Sequence, residues 1–176
     1  MQRLLTLAIP VLRSVARELD QSCHLVVPHH GRAVVVAQED CPGSLSFAVR
    51  MGTEVKPLDT ASGRVLLAFR EHKERVDLVG GGADAEERLG GIEPALAVVR
   101  AEGCCEMESR RVRGIRDTSF PIYDRVGHAV AALTVPFVER MDMDPPFDRE
   151  RVRSVLGAAA AEISRGIGSG EGGGEE

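Results

Sequence analysis

Gly-Thr-Glu-Val-Lys-Pro-Leu-Asp-Thr-Ala-Ser-Gly-Arg-Val-Leu-Leu-Ala-Phe, residues 52–69, carries a turn directly into a helix whose first residues are small. Thr60 stands where an N-cap belongs, with a hydroxyl able to accept a hydrogen bond from an N–H two or three residues on. Ala61, Ser62 and Gly63 follow with little side-chain bulk. The N–H groups of a first helical turn have no partner within the helix, so here they are open to a ligand, and helix starts of this kind attract anions. Val65, Leu66, Leu67 and Phe69 supply an apolar face for a core. Taken alone, the segment fits an ordinary capped helix as well as one built around a ligand, and the rest of the chain shifts the balance.

Upstream, Leu4, Ala8, Val11, Leu12, Val15, Ala16 and Leu19 recur at helical spacing and predict an amphipathic helix, with Pro10 either kinking it or marking its start. Two β-branched runs, His24 to Val27 and Arg32 to Gln38, flank His29-His30-Gly31 and read as a hairpin. A third strand is expected from Leu45 to Val49. Downstream, Glu71 to Val79 and Ile92 to Ala101 read as helices ended by Gly80-Gly81-Gly82 and by Gly103. Cys104 to Met107 and Gly114 to Val138 return to strand patterning, with Asp124-Arg125-Val126-Gly127 as the turn of a second hairpin. A closing helix is predicted over Phe147 to Ile167, after Pro145-Pro146, with Val152, Val155, Leu156, Ala159, Ile163 and Ile167 on one face. The Gly- and Glu-rich tail, 169–176, is expected to be disordered. Helix, strands, helices, strands, helix gives an α+β fold, an α/β sandwich in which an antiparallel or mixed sheet is flanked by helices. The helical insertion between the two strand blocks covers one sheet face and leaves room for a pocket.

With 176 residues, 43% of them hydrophobic, the chain is large enough for one core without disulfides or metal. Its formal net charge of −5 argues against holding nucleic acid on a broad basic face. Arg110, Arg111, Arg113 and Arg116 form a basic run, but Glu106 and Glu108 precede it, so it reads as a solvated strand edge. The glycine triplet lacks the Lys-Ser/Thr pair of a phosphate-binding loop. Cys23, Cys41, Cys104 and Cys105 fit no zinc spacing, and adjacent Cys104 and Cys105 do not suit disulfide geometry. A reduced, cytoplasmic setting follows. No run approaches the ~18 apolar residues of a membrane span, and neither an export signal nor an anchor is expected.

In order and spacing, these elements resemble the C-terminal effector-binding domain of IclR-type bacterial transcription regulators, a GAF- or profilin-like fold. The resemblance covers Leu4 to Gly168. It is carried by Pro10-Val11-Leu12, Pro57-Leu58, Thr60 to Ala68, Gly103, Gly114-Ile115-Arg116, Pro121-Ile122-Tyr123-Asp124 with Gly127, Ala131-Ala132-Leu133 and Ala161-Glu162-Ile163-Ser164.

The resemblance implies residues 1–168 as an effector-binding domain with an N-terminal linker helix. A small organic effector (a carboxylate, a hydroxy-aromatic acid or another polar metabolite) would bind between the Ala61-Ser62-Gly63 helix start and the sheet. By position, the ligand-binding residues would be Ala61, Ser62, Gly63, Met107, Ile115, Asp117, Thr134 and Pro136, with apolar walls from Leu45, Phe47, Val49 and Met51. Asp117 stands where small or thiol side chains are common in the family, and Pro136 lacks a hydroxyl that some members present. A buried carboxylate beside an anionic ligand is repelled or protonated, so either Asp117 turns away or the effector brings donors or positive charge. The family's winged helix-turn-helix has no counterpart in these residues, which suit an effector domain expressed alone or a naturally shortened relative. DNA would then be reached only through that missing domain.

The implied function is non-catalytic: effector binding alters the arrangement of a homodimer or homotetramer and thereby operator binding. No cofactor or metal is expected. Three alternatives stand beside it. One is a thiol redox enzyme using Cys104-Cys105, another a metal site at Cys23, His24, His29 and His30, and the last an oligomerisation domain without ligand.

Overall fold

The His30-Gly31 turn sets the first strand pair. Both residues have positive φ, 47° and 72°, as in a two-residue type I′ loop, whose twist matches that of paired strands. In the computed structural model, which describes residues 1–43, 46–139 and 148–168, this turn joins β1 (Cys23–His29) to β2 (Arg32–Glu39). A second turn at Gly52 (φ 83°) brings the chain back to the free side of β2. Gly52 N–H donates to the Val35 carbonyl at 2.8 Å, and Val35 N–H donates to Thr53 at 2.9 Å. The result is β3 (Glu54–Val55), paired with Ala33 and Val34.

The strand expected from Leu45 to Val49 is therefore misplaced. Residues 46–50 form no ladder, because residues 53–55 occupy the available edge of β2. Leu45 lies outside the described residues, as do Pro145-Pro146, Phe147 and the 169–176 tail.

Six strands form one antiparallel sheet in the order β3-β2-β1-β6-β5-β4, with β4 at Cys105–Glu108, β5 at Ile115–Tyr123 and β6 at Ala129–Val138. The β5–β6 turn falls where expected: the Asp124 side chain accepts from Val126 N–H (3.0 Å) and His128 N–H (2.9 Å), holding the loop closed. β1 and β6 meet at the centre, pairing His24 with Thr134 and Leu25 with Leu133.

Alternation along these strands sends successive side chains to opposite faces. On one face Leu25, Val27, Ile122, Leu133, Val135 and Phe137 pack against α1 (Gln2–Leu19) and α5 (Arg149–Gly168). The α1 stripe is the one its spacing predicts, and Pro10 lies inside the helix on the exposed side rather than at its start. On the other face Val26, Ala33, Val35 and Ala132, joined by Ala129 beyond a bulge in the β5–β6 ladder, pack against α2 (Ala61–Ala68), α3 (His72–Leu78) and α4 (Ala85–Glu102).

α3 starts at a capping box in which Glu71 and Glu74 satisfy each other's backbone N–H groups. α4 begins seven residues before the predicted Ile92, running through Gly90, Gly91 and Pro94, with Glu86 and Glu87 in its first turn and Ala85, Leu89, Leu96 and Val99 buried. Carboxylates there favour the helix start electrostatically, which helps a segment of poor intrinsic propensity.

Candidate functional site

Thr60 caps α2 as predicted. Its Oγ1 accepts from Gly63 N–H at 3.2 Å and donates to the Lys56 carbonyl at 2.9 Å, so the cap also secures the Lys56–Asp59 turn. The helix start thus fixed faces a cavity of about 360 Å³ between α2, the 47–53 segment and the sheet. Ala61 and Ser62 line it from the helix, and His24, Asp117 and Thr134 line it from the sheet. Their side chains share a face because His24 lies opposite Thr134, Thr134 opposite Ser119, and Asp117 is two residues from Ser119 on β5. Phe47 and Val49 supply apolar wall, while Met51 is exposed and lies outside the lining.

Several expected site residues sit elsewhere. Gly63 spends its N–H on the Thr60 cap, and a Cβ there would lie 2.7 Å from the Pro57 carbonyl carbon and closer still to its Cα and oxygen. Gly63 is therefore a close-packing position, not a cavity residue. Ile115 is buried at the start of β5 beside a different depression, with Arg116 and Phe137. Met107 and Pro136 flank Asp117 across the ladders and share its face, yet lie outside the cavity lining. Met107 packs instead against the α2–α4 core.

The mouth is more basic than the sequence pattern implies. Arg110 and Arg111 belong to the β4–β5 loop rather than to a strand edge, and they join Arg50 around the opening. Arg110 reaches Asp59 at 2.7 Å, tying this loop to the approach to α2. Among the described residues, neither Arg50 nor Arg111 forms an ion pair. These arginines, with the α2 N-terminus, favour an anion at the opening. The basic run is visible in the sequence, but its place over a cavity is set by the fold of the loop.

The floor is polar and only partly satisfied. Thr134 Oγ1 and Ser119 Oγ share a hydrogen bond of 2.9 Å. His24 is 4% exposed and its Nδ1 has no partner among the described residues. Burial lowers its pKa to about 4, keeping the ring neutral at physiological pH. Asp117 has no hydrogen bond or ion pair among the described residues, and burial raises its carboxyl to about 6. A raised carboxyl pKa contributes stability that is fully present below its ordinary value near 3.8 and is lost as pH rises through 6. Asp117→Asn is accordingly expected to unfold at higher urea than the parent at pH 8, by about 1–3 kcal/mol, with the gap closing towards pH 4. Urea titrations across that range measure it, and equal stability at pH 8 would show that the carboxylate carries no burial penalty.

His29 and His30 form the exposed tip of the first hairpin, their rings in an edge contact at 4.2 Å. No group of three or more His, Cys, Asp or Glu side chains among the described residues is placed to hold a metal. No helix among them is long and apolar enough to cross a membrane.

The helix start, the polar floor and the basic mouth sit on an antiparallel α/β sandwich of GAF- or profilin-like type. The chain belongs to the bacterial transcriptional regulator IclR C-terminal family, whose pattern it matches over residues 1–165. It is similar to the HTH-type transcriptional regulator KdgR of Escherichia coli (strain K12), 27% identical over 166 residues, which cover 89% of this chain but 61% of that relative. The crystal structure of the KdgR C-terminal domain has the same fold, with a TM-score of 0.73 at 24% identity, covering 94% of this chain and 99% of that one. An IclR homologue from Microbacterium hydrocarbonoxydans, solved in complex with 4-hydroxybenzoate, superposes with a TM-score of 0.74 at 19% identity over 94% of this chain and 68% of its own.

Proposed function

We propose that this chain is the effector-binding and oligomerisation part of an IclR-family regulator, that the cavity at the start of α2 receives a small organic acid, and that the chain is not an enzyme. The observation that carries this reading is the convergence on one 360 Å³ cavity of the α2 N-terminus, Arg50 and Arg111 at the mouth, and the polar floor. The volume suits a compact metabolite. The homologue crystallised with 4-hydroxybenzoate lends the acid class support. Ligand binding here would bias the arrangement of a homodimer or homotetramer, and through it the operator contacts of an attached DNA-binding domain, in a bacterial cytoplasm.

The thiol alternative is chemically disfavoured. All four cysteines are buried, and burial pushes Cys23 up to about 12 and Cys105 up to about 11, so little thiolate exists at neutral pH.

Thermal unfolding against a panel of small carboxylates, hydroxy-aromatic acids, sugar acids and amines, with native mass spectrometry, tests the proposal. An acid at ~100 times its dissociation constant should stabilise by about 2.7 kcal/mol, several degrees for a domain of this size. Arg111→Ala, on the exposed rim, should weaken that response. Silence across the panel with no co-purified mass would leave the chain a ligand-free oligomerisation domain.

A further inference from the structure

Two polar side chains in the cavity, Asp117 and His24, have no partner among the described residues, and Asp117 is not a group a bare acid would satisfy. Asp117 does not turn away from the cavity: its side chain lines it, half-buried, with no hydrogen bond or ion pair among the described residues. His24 lines the same floor, almost wholly buried, with Nδ1 unpartnered. Thr134, between them on the sheet face, already shares its hydroxyl with Ser119. An acid entering past Arg50 and Arg111 finds positive charge at the mouth, then meets a carboxylate that repels it and can only accept when ionised.

We infer that the effector is an acid that also bears a hydroxyl or amino group, and that Asp117 is the specificity-determining residue that accepts that group's hydrogen bond. This rests on the cavity being the effector site. A donor on the ligand satisfies the Asp117 carboxylate and replaces repulsion by a charge-assisted hydrogen bond. An analogue lacking the donor leaves the carboxylate desolvated and unpaired, the situation in which polar sites discriminate most strongly.

Calorimetric titration of the 176-residue chain with matched acids differing by one donor provides the test: benzoate with 4-hydroxybenzoate and 4-aminobenzoate, propanoate with lactate, and glutarate with 2-hydroxyglutarate. At least one donor-bearing acid should bind the parent about tenfold or more tightly than its bare counterpart. In Asp117→Ala that ratio should fall to near one, the bare acid itself binding more tightly once the repulsion is gone. Asp117→Asn, which keeps a carbonyl acceptor, should retain part of the preference, and its unfolding curve verifies that the fold is intact. Equal binding within every pair by the parent, or a preference that survives Asp117→Ala, overturns the inference while leaving the effector site standing. If no acid binds the parent at all, both the site and the inference fall.

Discussion

Gly63→Ala is expected to destabilise the domain by about 3 kcal/mol or more, the reverse of what alanine does in an ordinary helix, where replacing glycine gains up to about 1 kcal/mol. Gly63 sits in the first turn of α2 against Pro57, and the obstruction to a Cβ is backbone: the Pro57 Cα, carbonyl carbon and oxygen. Backbone cannot rotate aside as a flexible side-chain end can. The Lys56–Asp59 turn would have to lift off the helix, and with it the bonds from Thr60 to Lys56 and from Arg64 Nε to the Leu58 carbonyl. Because Asp59, Thr60 and Ala61 line the cavity, any folded Gly63→Ala protein should also respond less to a bound acid. Urea unfolding measures the first effect. Gly90→Ala, on α4 with open space around the position, is the control and should be neutral or stabilising. A parental midpoint for Gly63→Ala would show that the turn packs loosely on α2.

The second large effect is expected at the opposite face of the sheet. Leu133 is fully buried on β6, paired across the ladders with Leu25 and Phe120, within the core formed by α1 and α5. Leu133→Ala removes three heavy atoms where the central strands hold the backbone fixed, so little collapse into the void is possible. A loss of about 3–5 kcal/mol is expected, lowering the melting temperature by about 10 °C. Thermal and urea unfolding should agree on that loss. A cost below about 1 kcal/mol would mean that α1 and α5 close over the gap, and that this layer is more yielding than its burial indicates.

Periodic, local signals make most of this architecture legible in the amino-acid sequence. The α1 stripe, the Thr60 cap and both hairpins depend on residues within a few positions of one another, and each falls where its pattern predicts. β3 does not, because what creates it is a partner: Glu54 and Val55 are a strand only by lying along Ala33 and Val34, whereas the more apolar Phe47 and Val49 turn to the cavity wall. The start of α4 is hidden by Gly90-Gly91, since glycine argues against helix while acidic residues at the start and tertiary packing outweigh it. At the site, the positions implied by the resemblance include Asp117 and Thr134, which lie on the sheet face that carries the cavity. Parity fixes a face and not a position along it, which is why Met107, Ile115 and Pro136 miss the cavity lining. His24 stands out in the sequence only as a possible metal ligand, and nothing within β1 announces that its ring lies beside Thr134 from the far end of the chain.

That same pairing of first and last strands governs how the domain is made. During synthesis the β1–β2 hairpin leaves the ribosome long before β6, and until β6 arrives one flank of Leu25 and Val26 has no ladder partner. The contacts that seal this flank are long-range, as in the two hydrogen bonds between the Gln21 side chain and Val138, 117 residues away. Non-local closure of this kind is slow, and an apolar strand with an open edge is prone to pair with the wrong neighbour. The interval before residues 129–138 dock is therefore one in which an apolar edge of the first hairpin stays open.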